Sequence, residues 1–562
     1  MRVLLVAVLA LSLFSACQRQ APSAAVAPAP AAVAALTVPD TAKAAIAAST
    51  LMASIETLSS DAFEGRLPGT AGEEKTVAFL TEQFKALGLA PGNPDGSYVQ
   101  KVPLAGIDGR PSGQLRVKDQ VIPLDFNGNA VAVTERYQPE VTVSEAPLVF
   151  VGYGVQAPEL GWDDYKGLDV RGKTLVMLVN DPPVRKADGS LDEAMFGGKA
   201  MTYYGRWTYK YDIASQLGAA AAIIVHQTGP AGYPWFVVAN SWRGEQFTVA
   251  SADGNAGRVA VQSWIALDKA RELFAAAGLD FAALEAAAAR PDFRPVEIAG
   301  SASFTVKNTL RTVDSHNVAA RLPGTDPALG KELIVYSAHW DHLGRDDQRQ
   351  GDPIFNGALD NATGTAGLIE VARAFSRLPE PPRRSLLFLA VTAEEQGLIG
   401  SRYYAQNPLY PIGDHIANIN MDALNPYGPT EDVIVVGKGQ STLEDVLAGV
   451  VQAQGRRLVA DPDSDKGYYY RSDHFNFAKA GVPALYADGG SVLRDRPAGT
   501  GQRLREAYTR EAYHQPADQI TADWNPAGMV EDLQMLFEVG YRVAQTPERP
   551  QWKDGSEFKR TP

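Results

Sequence analysis

Leu333-Ile334-Val335-Tyr336-Ser337-Ala338-His339-Trp340-Asp341-His342-Leu343-Gly344 sets an apolar run directly against two imidazoles and a carboxylate. Leu333 to Ser337 reads as a strand covered on both faces, because it lacks the polar alternation of a half-exposed one. Downstream, Thr363 to Leu378 places Leu368, Val371, Ala372, Phe375 and Leu378 on one helical face, and Ser385 to Val391 is again nearly continuous apolar sequence. Strand, helix, strand in that order predicts a right-handed crossover and an α/β sandwich. In such sheets the chemistry sits just beyond the carboxyl ends of the strands.

Those ends are where titratable groups recur. His339-Trp340-Asp341-His342 follows the first strand, and Gly357-Ala358-Leu359-Asp360-Asn361 precedes the long helix. Thr392-Ala393-Glu394-Glu395-Gln396-Gly397 follows Ser385 to Val391, Ile419-Asn420-Met421-Asp422 ends another apolar run, and Tyr513-His514-Gln515-Pro516-Ala517-Asp518 stands near the end. Each cluster alone has an ordinary reading: a helix cap at Asp360, a strand end at Asp422, a solvated surface at Glu394-Glu395. Together they would bring several carboxylates to one place, where mutual repulsion raises their pKa values unless cations intervene. A pair of divalent ions removes the conflict. With one cysteine in the chain, a thiolate-built metal site is excluded, so the donors must be His, Asp and Glu.

This ordered motif set resembles the co-catalytic di-zinc exopeptidases, the family of bacterial aminopeptidases and glutamate carboxypeptidases. The resemblance runs from about Ala44 to Gln545. It implies a three-layer α/β sandwich with a mostly parallel mixed sheet. It also implies metal ligands at His339, Asp360, Glu395, Asp422 and His514, with Asp360 bridging two Zn2+ ions that cobalt or manganese can replace. Glu394 is then the general base, and Asp341 hydrogen-bonds the second ring nitrogen of His339 and sets its tautomer. His342 and His316 have no metal role in the pattern and read as structural. Tyr468 to His474 is similar to the family's pocket loop. There Tyr470 is a candidate oxyanion donor and Arg471 or Asp473 a candidate partner for a substrate terminus, with a packed aromatic loop as the other reading. The implied activity is release of amino-terminal residues from peptide substrates. A carboxypeptidase of the glutamate carboxypeptidase type and an inactive binding protein on the same fold are the alternatives, and five chemically competent ligand positions plus the base argue against the inactive one.

Between Val141 and Ala299 strand-like runs such as Thr174 to Val179 and Ala222 to Val225 alternate with Gly-rich turns, and Tyr211 to Gly218 reads as a short helix. Val151-Gly152-Tyr153-Gly154-Val155, Trp162 to Tyr165, Val170 to Lys173 and Ala214 to Ala220 resemble a protease-associated domain. The organisation expected is a catalytic domain split into 44–140 and 301–545, an insert at 141–300 and a polar tail at 546–562. His226, Tyr203, Tyr204 and Trp207 read as packing residues of the insert.

The chain opens with Arg2, an apolar run from Leu4 to Leu13 and small residues up to Cys17, which fits a secretory signal peptide over 1–16. Phe14-Ser15-Ala16-Cys17 resembles the bacterial lipobox, which implies lipidation of Cys17. Residues 17–43 then read as an Ala/Pro-rich tether. The implied location is the cell envelope, on the outer membrane, with a soluble periplasmic or secreted protein as the alternative. The 562 residues carry 52 basic and 65 acidic side chains, a formal charge of -13, so a nucleic-acid partner is not expected.

Overall fold

The computed structural model describes residues 36–126 and 128–559, and its centre is a strand of 27 residues, Val296–Leu322. One end of that strand, Val318 to Leu322, pairs antiparallel with Leu386 to Ala390. The other end pairs with Glu140–Phe150, and most of its length pairs with Val99–Val117. A single ladder of hydrogen bonds therefore joins two sheets that the sequence places in separate regions.

On one side lie the strands that carry the chemistry. Leu333–His339 runs parallel to Ser385–Val391 and to His415–Asn420, which is in turn parallel to Ala484–Gly489. Asp432–Val435 and Arg457–Ala460 complete that edge. Alternation along these strands explains the layers. Ile334, Tyr336, Leu386 and Phe388 face a core built with the helices Ala48–Leu58, Thr363–Ser376 and Ala527–Gln545. Leu333, Val335, Leu387 and Leu389 face the opposite core with Tyr404 and Phe477. A strand covered on both faces has to be apolar throughout, and that is why these runs show no period of two. The expected α/β sandwich with a mostly parallel mixed sheet is the fold observed.

On the other side Glu140–Phe150, Thr174–Leu178, Ala221–His226 and Val261–Ala266 form a parallel series, closed by Ala130–Val133. Their core extends from Leu115 to Val306, so it draws on residues upstream of 141 and downstream of 300. The helix expected at Tyr211 to Gly218 is Trp207–Gln216. The ends of the chain are also more engaged than their composition suggests. Val38 and Ala42 are buried in the catalytic core, so packing begins within the stretch read as tether. In the tail read as polar, Trp552 and Phe558 pack together, and Phe558 meets Tyr469 and Phe475. The signal peptide, Cys17 and most of the tether lie outside the described residues. No helix among the described residues is long and apolar enough to cross a membrane.

Phe388 is fully buried, stacked on Tyr336 with ring centroids 5.9 Å apart and close to Phe84 and Phe375. Phe388→Ala is expected to cost about 3–5 kcal/mol of stability, read as a lower denaturant midpoint. An unchanged midpoint would contradict this account of the central layer.

Candidate metal centre

His339 is the last residue of a strand with no exposed position, and Ser385–Val391 and His415–Asn420 end beside it. Its Nδ1 lies 3.2 Å from the backbone carbonyl of Asp341. A carbonyl only accepts, so Nδ1 carries the proton and Nε2 presents its lone pair. That nitrogen faces Asp360 Oδ1 at 3.3 Å, Asp422 Oδ1 at 3.3 Å and Glu394 Oε2 at 3.9 Å.

Asp360 turns its two oxygens to different imidazoles: Oδ1 to His339 and Oδ2 to His514 Nε2, each at 3.3 Å. The turn before it requires Gly357, at φ +53°, because a Cβ there would meet the His342 ring at 2.6 Å and the Asp360 carbonyl at 2.3 Å. Asp518 holds the segment from outside by accepting the amides of Leu359 (2.9 Å) and Asp360 (3.1 Å) and the Tyr508 hydroxyl. Glu395 receives His514 Nε2 at 3.0 Å on one oxygen and His342 Nδ1 on the other. Asp422 accepts the Ser472 hydroxyl at 2.6 Å on Oδ2, which leaves Oδ1 free to face His339.

The structure thus brings together all five residues of the implied ligand set and Glu394. Donor atoms of His339, Asp360 and Glu395 lie within 4.8 Å of one another, as do those of His339, Glu394 and Asp422. His514 Nε2 is buried with no hydrogen-bond donor or acceptor satisfying it. Imidazole lone pairs and carboxylate oxygens converging without sulfur fit a divalent transition metal. The electrostatics point the same way. Burial pushes Glu394 well above the usual carboxylate range, with the His339 imidazole opposing and Asp422 and Glu395 adding to the rise. Burial pushes Asp360 and Glu395 upward as well, but the adjacent His339 and His514 imidazoles hold Asp360 well below its ordinary value. His514 and His342 likewise hold Glu395 near 2.

Several residues sit differently from expectation. The carboxylate of Asp341 is 3.8 Å from His339 Nδ1 and accepts the Glu394 amide at 3.0 Å instead. The Asp341 carbonyl, and not its carboxylate, accepts the hydrogen bond from His339, and the carboxylate braces the loop that carries Glu394. Tyr470 donates its hydroxyl to Glu557 of the tail, so it offers no oxyanion donor. Asp473 is fully buried, and burial pushes its carboxyl up to about 7. It is absent from the wall of the cavity that opens on Asp360, Glu394, Glu395 and Asp422, whereas Tyr470 lines a hollow beside Glu394 and His514. Arg471 does border the site, stacked 4.9 Å over Tyr233 and 5.3 Å over Tyr468. His342, read as structural, touches Glu395, whereas His316 pairs with Glu73 away from the centre. His226 packs among Tyr233, Trp235 and Trp264.

Other residues carry no motif that announces them. Arg66 is buried behind the ligands and donates to the carbonyls of Leu58, Trp340, Asn356 and Gly357 at 2.6–2.9 Å. It ties the loop after His339 to the turn before Asp360. Tyr513 stacks on His514 with centroids 4.0 Å apart. A cavity of about 590 Å³ opens on Asp360, Glu394, Glu395 and Asp422, walled by Tyr233, Ile434, Val436, Tyr468, Tyr486 and Tyr513. It has the shape and mixed lining of a site for a small or extended ligand.

Residues 317–537, which hold every one of these ligands, match the model of Peptidase family M28. The chain is 28% identical over 230 residues to leupeptin-inactivating enzyme 1 of Streptomyces exfoliatus, covering 39% of this chain and 48% of that protein. It is 32% identical over 124 residues to mouse aminopeptidase NAALADL1, 21% of this chain and 15% of that one. The match thus spans about half the first relative and less of the second. Among solved structures, an aminopeptidase from Aneurinibacillus sp. strain AM-1 superposes with a TM-score of 0.53 at 20% identity, over 91% of this chain and 97% of that one. At that identity the likeness is one of fold.

Arg66→Met would strand four buried carbonyls, and breaking a buried charged network of this kind costs about 3–5 kcal/mol. The variant is expected to lower the denaturation midpoint and to lose metal on dialysis. Retention of both wild-type values would refute the role given to Arg66.

Proposed function

We propose that this chain, whose residues 317–537 match Peptidase family M28, is a zinc-dependent aminopeptidase that releases amino-terminal residues from peptides. One observation carries the reading: Asp360 offers one oxygen toward His339 and the other toward His514, each at 3.3 Å, which is how a carboxylate lies between two cations. On this reading His339 and Asp422 would hold one zinc ion and His514 and Glu395 the other, with Asp360 shared between them. When bound, such a pair polarises a carbonyl and lowers the pKa of a shared water to about 7.

Glu394 does the proton work. It sits at the edge of the cavity, 8% exposed, with its amide fixed by Asp341. Held there, its carboxylate is placed to take a proton from the attacking water and to pass it to the departing amine. The cavity accommodates the side chain of the released residue against Ile434, Val436, Tyr468 and Tyr486. Two of the cations along its wall are already paired, Lys466 with Asp463 at 3.1 Å and Arg505 with Asp488 at 3.1 Å. The amino-terminal direction rests on the relative named an aminopeptidase. The exported, Cys17-anchored placement on the outer membrane and the protease-associated character of residues 141–300 belong to the proposal on sequence grounds alone.

Aminoacyl and carboxyl-terminal chromogenic substrates, assayed before chelation, after it, and after zinc is restored, test the reading. Activity is expected on the aminoacyl series only, abolished by chelator and recovered with zinc. Cleavage of the carboxyl-terminal series would reverse the direction. Glu394→Ala is expected to keep its metal and lose about 10²–10⁴-fold in kcat. Asp360→Ala is expected to lose both ions, and a metal analysis still showing two per chain would contradict the bridge.

A further inference from the structure

We infer that Ser241, at the end of the helix Trp235–Ser241, is a positioning residue that fixes which nitrogen of His514 meets the metal. The inference rests on the di-zinc reading above. Ser241 Oγ lies 2.8 Å from the Val237 carbonyl and 2.8 Å from His514 Nδ1. A hydroxyl owns one proton and a carbonyl can only accept. That proton goes to Val237, so Oγ must accept from Nδ1. The His514 proton is thereby confined to Nδ1, and Nε2 is left as the lone-pair nitrogen facing Asp360 and Glu395.

The same helix holds the backbone. Asn240 Nδ2 donates to the His514 carbonyl at 3.0 Å. His514 sits at φ +57°, in the left-handed region that few non-glycine residues occupy. The neighbouring strand Glu245–Val249 grips the other ligand loop: Phe247 donates its amide to Gln396 Oε1, and Gln396 donates back to the Glu245 carbonyl. His339 by contrast takes its tautomer from a carbonyl two residues away on its own loop. The two halves of the centre therefore differ in origin. The His339 side is oriented by the catalytic layer alone, and the His514 side is completed by the region between its two parts.

A partner that orients a ligating imidazole is worth about 10–100-fold in metal affinity. Dialysis of the full chain against zinc-buffered solutions, with ions per chain counted across free-zinc concentrations, reads this directly. Ser241→Ala is expected to weaken one of two zinc ions by 10–100-fold and leave the other unchanged, while Ser241→Thr, which keeps the hydroxyl, holds both. If the alanine variant does not fold, Ser241→Cys, similar in size and a weak acceptor, carries the same expectation. Wild-type affinity for both ions in the variant overturns the inference, as does parallel weakening of the two. A wild-type chain that binds no zinc overturns the di-zinc reading itself and this inference with it.

Discussion

Four carboxylates, those of Asp360, Glu394, Glu395 and Asp422, converge on two imidazoles in a largely buried pocket, and that crowding governs the rest of the molecule. Negative charges packed this way repel one another and lose hydration, so they need compensation from close by. Arg66 stands behind the pocket as a buried guanidinium, but its donors are used on backbone carbonyls. The imidazoles of His339, His514 and His342 supply part of the compensation, and on the di-zinc reading cations in the pocket would supply the rest. The surrounding hydrogen bonds then serve one purpose, aiming lone pairs. Ser472 occupies the outer oxygen of Asp422, Asp341 fixes the amide of Glu394, and Asp518 fixes the amide of Asp360.

Proximity in sequence sorts these supports into two kinds. Gly357 lies within the turn it shapes, and the Asp341 carbonyl meets His339 two residues away, so these two effects are local. Arg66, Asp518, Ser472 and Ser241 arrive from distant parts of the chain, so the loops acquire their final geometry only once the layers have docked. The polypeptide on both sides of the long strand contributes, which makes the region from 141 to 300 a structural partner of the centre as well as a wall of its cavity.

Much of this was readable before any coordinates. The apolar runs at Leu333 and Ser385, each followed by acid and imidazole, expose both the buried parallel strands and the residues at their ends. The spacing places Asp341 beside His339, yet the atom nearest Nδ1 is the Asp341 carbonyl oxygen and not its carboxylate. Sequence spacing says that residue 341 is near residue 339, and it says nothing about whether carbonyl or carboxylate turns inward. Tyr470 and Asp473 sit in a loop whose direction is set by packing against Glu557 and the tail, a contact made across 87 residues. Ser241 and His514 are 273 residues apart, and a serine at a helix end has no pattern to mark it. Contacts of that range exist only in the fold.

The strand Val296–Leu322 runs for 27 residues, about 90 Å of backbone at roughly 3.3 Å each, without leaving the ladder. A flexible linker in its place would let the two halves swing like jaws. A paired ribbon resists that motion, because swinging would tear hydrogen bonds along its length, and it yields first at the two register shifts in its pairing with Glu140–Phe150.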